Sequence, residues 1–79
     1  MKRGAKPKER TTPVGKRLFT LREEQGLTLD QAAERWGISK ASLARYETGL
    51  DFLPSKAAIR IARVEGVTLD WLFAMDDPV

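Results

Sequence analysis

Seventy-nine residues allow one small domain, which buries a limited share of its surface and gains from pairing with a second copy. The chain has neither cysteine nor histidine, which excludes disulfides, thiolate zinc sites and any nucleophilic arrangement that needs an imidazole base. Its net charge of +3 is unevenly spread: residues 1–10 hold five basic residues against one acidic, and the remainder nine against ten, so the whole excess lies at the N-terminus.

That N-terminal stretch sets Lys2, Arg3, Lys6, Lys8 and Arg10 around Gly4 and Pro7, with no large apolar residue after Met1. It cannot build a core, so residues 1–11 are expected to form a mobile basic arm. Such an arm can follow a phosphate backbone or enter a minor groove. The same composition also suits a solubilising tail or a remnant of expression. No apolar run approaches the roughly 20 residues of a membrane span. Nor does a hydrophobic stretch follow the positive N-terminus, as a signal peptide requires. The expected location is the cytoplasm.

Residues 12–75 read as one all-α domain of five short helices. The first is predicted over about 13–25. Thr12 suits its N-cap and Pro13 its first position, while Val14, Leu18 and Leu21 share a face and Gly26 supplies a left-handed stop. The second, over 29–36, opens with a capping box of Thr28 and Gln31. Its apolar stripe is Leu29, Ala32, Ala33 and Trp36, small in the middle so that another helix can approach closely, and Gly37 ends it.

The third helix, over 40–48, follows the cap Ser39, with Ile38 placed to staple onto Leu43. Leu43 and Tyr46 are expected inside, Lys40, Ala41, Ala44, Arg45 and Thr48 outside, and Gly49 closes the helix. Residues 50–54 read as a loop. The fourth helix runs from 55 or 56 to 65, with Ala58, Ile61 and Ala62 inward and Gly66 as its stop. The fifth, capped by Thr68, is predicted over 69–74 with Leu69, Leu72 and Phe73 inward. Residues 76–79 are expected to fray, and the adjacent carboxylates Asp76 and Asp77 fall in that segment, which is no place for a firmly held catalytic pair.

Only Gly37, Ile38 and Ser39 separate the second and third helices. So short a turn, opened by glycine, is expected to set them at roughly 90–120° and to push the third outward. Residues 28–48 thus form a helix-turn-helix. From Leu21 to Phe73 the chain resembles the Cro and phage-repressor type of helix-turn-helix domain, through LREEQGLTLDQAAERWGISKASLARYETG and then IARVEGVTLDWLF. The resemblance covers about two thirds of the chain and rests on an ordered set. That set comprises a glycine after the first helix, a Thr cap, Ala33, Gly37, Ile38 and Ser39, Leu43, Tyr46 and Glu47, Gly49, and the closing GVTLDWL. It implies a compact five-helix, lambda-repressor-like fold of prokaryotic or phage type. It also implies a transcriptional regulator, commonly a homodimer on a near-palindromic operator, with the third helix in the major groove; the composition separately leads to the expectation of no cofactor, metal or catalytic activity.

The family carries its base-reading residues at the positions of Lys40, Ala41, Ala44 and Arg45. Chemistry agrees. Arg45 can meet guanine O6 and N7 in a bidentate pair, Lys40 can do so less selectively or meet a phosphate, and the two alanines offer methyl contact to thymine. Backbone contacts are assigned to Thr28, Gln31, Ser39, Ser42, Thr48, Lys56, Lys16 and Arg17, helped by the N–H groups that open the second helix. The chain departs from its relatives at Leu29, where a polar glutamine is common. It departs again at Asp51, Phe52 and Leu53, where basic residues are common. The N-terminal arm can supply that missing charge.

Arg22 and Glu47 stand where relatives hold a structural ion pair; the other reading is two separate surface charges. Relatives dimerise near the last helix, and Phe52, Leu53 and Trp71 are assigned to a homodimer interface; the other reading is an internal cap of Phe52 over Trp71. A dimer would bind half-sites one helical turn apart, about 34 Å. Three readings of function remain open: a repressor, an antitoxin-type autoregulator with a toxin as protein partner, and a protein-interaction module on the same fold.

Overall fold

The computed structural model describes residues 12–75. The basic arm and the segment 76–79 lie outside the described residues. Five helices follow in chain order: α1 (Pro13–Glu24), α2 (Leu29–Trp36), α3 (Lys40–Thr48), α4 (Ser55–Glu65) and α5 (Leu69–Leu72). Local chemistry sets most of the boundaries. Thr12 Oγ1 accepts from the Gly15 N–H at 3.0 Å, Ser39 Oγ from Ser42 at 3.0 Å, and Thr68 Oγ1 from Trp71 at 3.0 Å. Thr28 and Gln31 form the reciprocal box, at 3.1 and 2.9 Å. At the other ends Gly37, Gly49 and Gly66 take left-handed φ of 71°, 81° and 69°, a conformation in which a Cβ is strained.

Each helix sends one large side chain to full burial: Leu18, Trp36, Leu43, Ile61 and Leu72. Small residues fill the gaps between them. Ala32 and Ala33 let α2 sit close to its neighbours, and Ala57, Ala58 and Ala62 do the same for α4. α1 packs on α3 and α5, α2 on α3 and α4, and α4 on α5.

Gly15 is also buried, although no apolar pattern marks it. A Cβ there would collide with the Glu47 carbonyl oxygen and stand 2.9 Å from that of Tyr46. The start of α1 therefore meets the end of α3 backbone to backbone.

Among the described residues one carboxylate is buried in the core and a second lies at its margin. Glu47 is buried and receives Arg22 Nε at 2.8 Å and Nη2 at 2.9 Å, while Arg22 Nη1 reaches the Leu27 carbonyl at 3.0 Å. Glu65 accepts from Trp36 Nε1 at 2.7 Å, Arg35 Nε at 2.7 Å and Gln25 Nε2 at 2.8 Å, which fastens the end of α4 to α2 and to the cap residue of α1. Burial pushes the Glu65 carboxyl up, but the donors from Arg35, Trp36 and Gln25 together outweigh it and hold the group below its ordinary value.

Three expectations need correction. Leu53 belongs to the core at 7% exposure, so it is not part of an exposed interface. Phe52 stands 95% exposed and caps nothing. Of the two neighbours in this loop, Leu53 faces inward and Phe52 outward. α5 also ends at Leu72, two residues early, because Ala74 turns left-handed with φ 58°. Leu69 is accordingly left 39% exposed, while Leu72 is buried and Phe73 half-buried against the core.

Candidate nucleic-acid interface

α3 is amphipathic by position. Leu43 and Glu47 are buried and Tyr46 half-buried, which leaves Lys40, Ala41 and Arg45 exposed and Ser42, Ala44 and Thr48 in between. Gly37 opens the corner before it, and Ile38 packs against the core. Arg60 from α4 braces the corner with Nη1 at 3.5 Å from the Gly37 carbonyl.

The two cations on the outer face are exposed, at 58% for the Lys40 side chain and 54% for Arg45, but each meets a carboxylate. Lys40 Nζ lies 3.7 Å from Asp30 Oδ2. Arg45 is held more firmly: Nε donates to Asp51 Oδ2 at 2.7 Å, and Nη2 stands 3.5 Å from Oδ1. The Asp51 hydrogen bond and charge raise the Arg45 pKa further, and the hydrogen bond from Arg45 holds the Asp51 carboxyl below the usual carboxylate range. Ion pairs this exposed are screened by salt; the long Lys40–Asp30 contact yields readily to a phosphate, whereas the Arg45–Asp51 pair also carries a short hydrogen bond.

Hydroxyl chemistry sorts the proposed backbone contacts. Thr28 and Ser39 use an oxygen lone pair to cap their helices and keep an O–H to donate. Gln31 spends its carbonyl oxygen on the cap and retains its amide donors. Thr48 is different: its hydroxyl donates back to the carbonyls of Ala44 and Arg45, at 3.0 and 3.3 Å, so it has no proton for a phosphate while that hydrogen bond lasts. Lys16 and Lys56 are exposed, one in the first turn of α1 and one in the first turn of α4.

Arg17, expected on the DNA backbone, is engaged elsewhere. Its Nη1 donates to the Trp71 carbonyl at 2.7 Å and the guanidinium lies 4.7 Å above the Trp71 ring. That clasp ties α1 to α5 and half-buries both residues. Sequence reasoning misses this partner, as it misses Asp30, Asp51, Gly15 and Glu65. Nothing in the spacing pairs residue 17 with 71.

A family model described as a helix-turn-helix domain matches residues 13–72. The chain belongs to the helix-turn-helix family. Among its relatives is the HTH-type transcriptional regulator YobD of Bacillus subtilis, a protein itself uncharacterised, which is 36% identical over 63 residues, 78% of this chain and 56% of YobD. A Pyrococcus abyssi protein named among HTH-type transcriptional regulatory proteins is 42% identical over 50 residues, 63% of this chain but 16% of its own length. The helix-turn-helix chain thus spans about half, or far less, of the curated relatives it matches. Of solved structures, the master regulator for biofilm formation SinR, crystallised with DNA, superposes with a TM-score of 0.68 at 30% identity, over 76% of this chain and 97% of SinR. An HTH_3 family transcriptional regulator from Vibrio cholerae gives 0.70 at 29%, over 86% of this chain and 38% of that one.

Proposed function

We propose that the chain is a sequence-reading transcriptional regulator that lays α3 in the major groove of duplex DNA and acts as a repressor, in the cytoplasm and on the nucleoid. One observation carries this reading. α3 exposes a face of Lys40, Ala41 and Arg45, narrow enough at Ala41 to sit deep, while its opposite side is pinned by Leu43 and Glu47. Arg45 reads guanine, Lys40 a second guanine or a phosphate, and Ala41 a thymine methyl; Ala44, half-buried, sets the depth. Thr28, Ser39 and Gln31 donate to phosphates, with Lys16 and Lys56 alongside.

The kinship to SinR, whose crystal structure holds DNA, supports the same reading. The regulator works without a cofactor and without catalysis. It pairs as a homodimer on a near-palindromic operator, through the apolar loop where Leu50 and Phe52 are both exposed.

Selection of bound fragments from random duplex DNA tests the proposal, since it returns site, symmetry and stoichiometry together. Arg45→Ala should lower discrimination at one base pair by roughly ten- to hundredfold. An unchanged sequence preference would remove Arg45 from the reading face.

A further inference from the structure

The acidic residue that follows α3 looks like a liability next to DNA, and its geometry points the other way. A guanidinium offers five N–H groups on two usable edges. The side edge joins Nε–H to one Nη2–H; the end edge joins one Nη1–H to the other Nη2–H. Asp51 sits on the side edge, with Oδ2 2.7 Å from Nε and Oδ1 3.5 Å from Nη2. The end edge is left facing away from the carboxylate.

Asp51 is itself well placed to hold. Gly49, with φ 81°, reverses the chain, and the N–H groups of Leu50 and Asp51 both return to the Arg45 carbonyl, at 2.9 and 3.3 Å. Two residues further on, Leu53 is anchored in the core. Residue 45 is therefore gripped at its carbonyl and at its side chain by one short, anchored loop.

We propose that Asp51 is a positioning residue for base recognition, holding Arg45 by its side edge so that the end edge meets O6 and N7 of guanine. This rests on the reading of α3 as the base-reading helix. A long exposed arginine otherwise loses rotamer freedom on binding, and it can satisfy itself on any nearby phosphate. With Asp51 in place that escape means giving up the Asp51 hydrogen bond, and the carboxylate repels the backbone of every duplex alike. The residue trades general affinity for selectivity.

The test is a random-duplex selection with the full chain, Arg45→Ala, Asp51→Asn and Asp51→Ala. Arg45→Ala identifies the base pair that Arg45 reads. Both Asp51 variants should lose most of the guanine preference at that pair, roughly tenfold, and keep preferences elsewhere. They should also bind unrelated duplexes more tightly than the unsubstituted chain. Adding either Asp51 change to Arg45→Ala should alter nothing further at that pair. Guanine preference retained in the Asp51 variants would overturn this role and leave the DNA reading standing. So would an Arg45→Ala chain that loses preference at no position. A chain that enriches no sequence at all would take down the DNA reading and the Asp51 role together.

Discussion

Glu65 shows what one residue can gather: an indole and a guanidinium from α2 and an amide from the turn before it, on a single carboxylate. Its folded-state carboxyl titrates below its ordinary value of 4.5. The stabilisation it contributes is therefore complete above that value and is lost as pH falls through the lower, folded one. Urea midpoints measured from pH 7 downward should decline on the acid side, and Glu65→Gln should be less stable at neutral pH with a flatter acid limb. An acid limb of equal slope in the variant would deny Glu65 this part. Trp36 is legible as core from its stripe with Leu29, Ala32 and Ala33, but a buried indole N–H needs an acceptor, and periodicity does not say which. The same limit separates Asp51 from Arg45 and Trp71 from Arg17. Local patterns mark faces and caps; partners far apart in sequence come only with the packing.

At the level of elements, legibility follows the punctuation of the chain. Where a helix begins at Thr or Ser and ends at glycine, as α2 and α3 do, reading and structure coincide, because cap and stop are chemical groups visible in the sequence. α5 has a cap but no glycine, and its end falls two residues before the expected one. Ala74 adopts the left-handed turn there, with Met75 N–H reaching back to the Asp70 carbonyl at 2.8 Å. An alanine in that conformation carries a strain of about 1 kcal/mol or more that glycine lacks. Ala74→Gly should accordingly raise stability by about 1 kcal/mol, read as a higher urea midpoint with an unchanged slope. A loss of stability would mean that the turn is not formed in solution. The loop after α3 departs from expectation for a related reason: polarity and apolarity identify it as a connection, yet which of Phe52 and Leu53 faces inward depends on the course of the backbone.

For the molecule as a whole, the question is where the proposed attraction to DNA resides. Residues 12–75 hold nine basic against eight acidic residues, nearly balanced. Several of those cations are already matched, Arg22 by Glu47 and Arg35 by Glu65 in buried or partly buried pairs. Most of the non-specific pull is then expected from residues 1–10. Removing them should weaken binding to all duplexes and shallow the salt dependence, by about 0.9 in log–log slope for each phosphate the segment neutralises. Equal slopes with and without the segment would reduce it to a solubilising tail.

The close approach at Gly15 has a mechanical consequence. Side chains yield to a load by changing rotamer, whereas peptide groups in neighbouring helices have no such give. Where α1 rests on the carbonyls of Tyr46 and Glu47 there is nothing compressible between them. A displacement of the end of α3 is carried straight into the start of α1, while the onward link to α5 runs through the Arg17 side chain on Trp71 and is the softer joint. The helix proposed to read DNA and the start of α1 thus form one stiff joint.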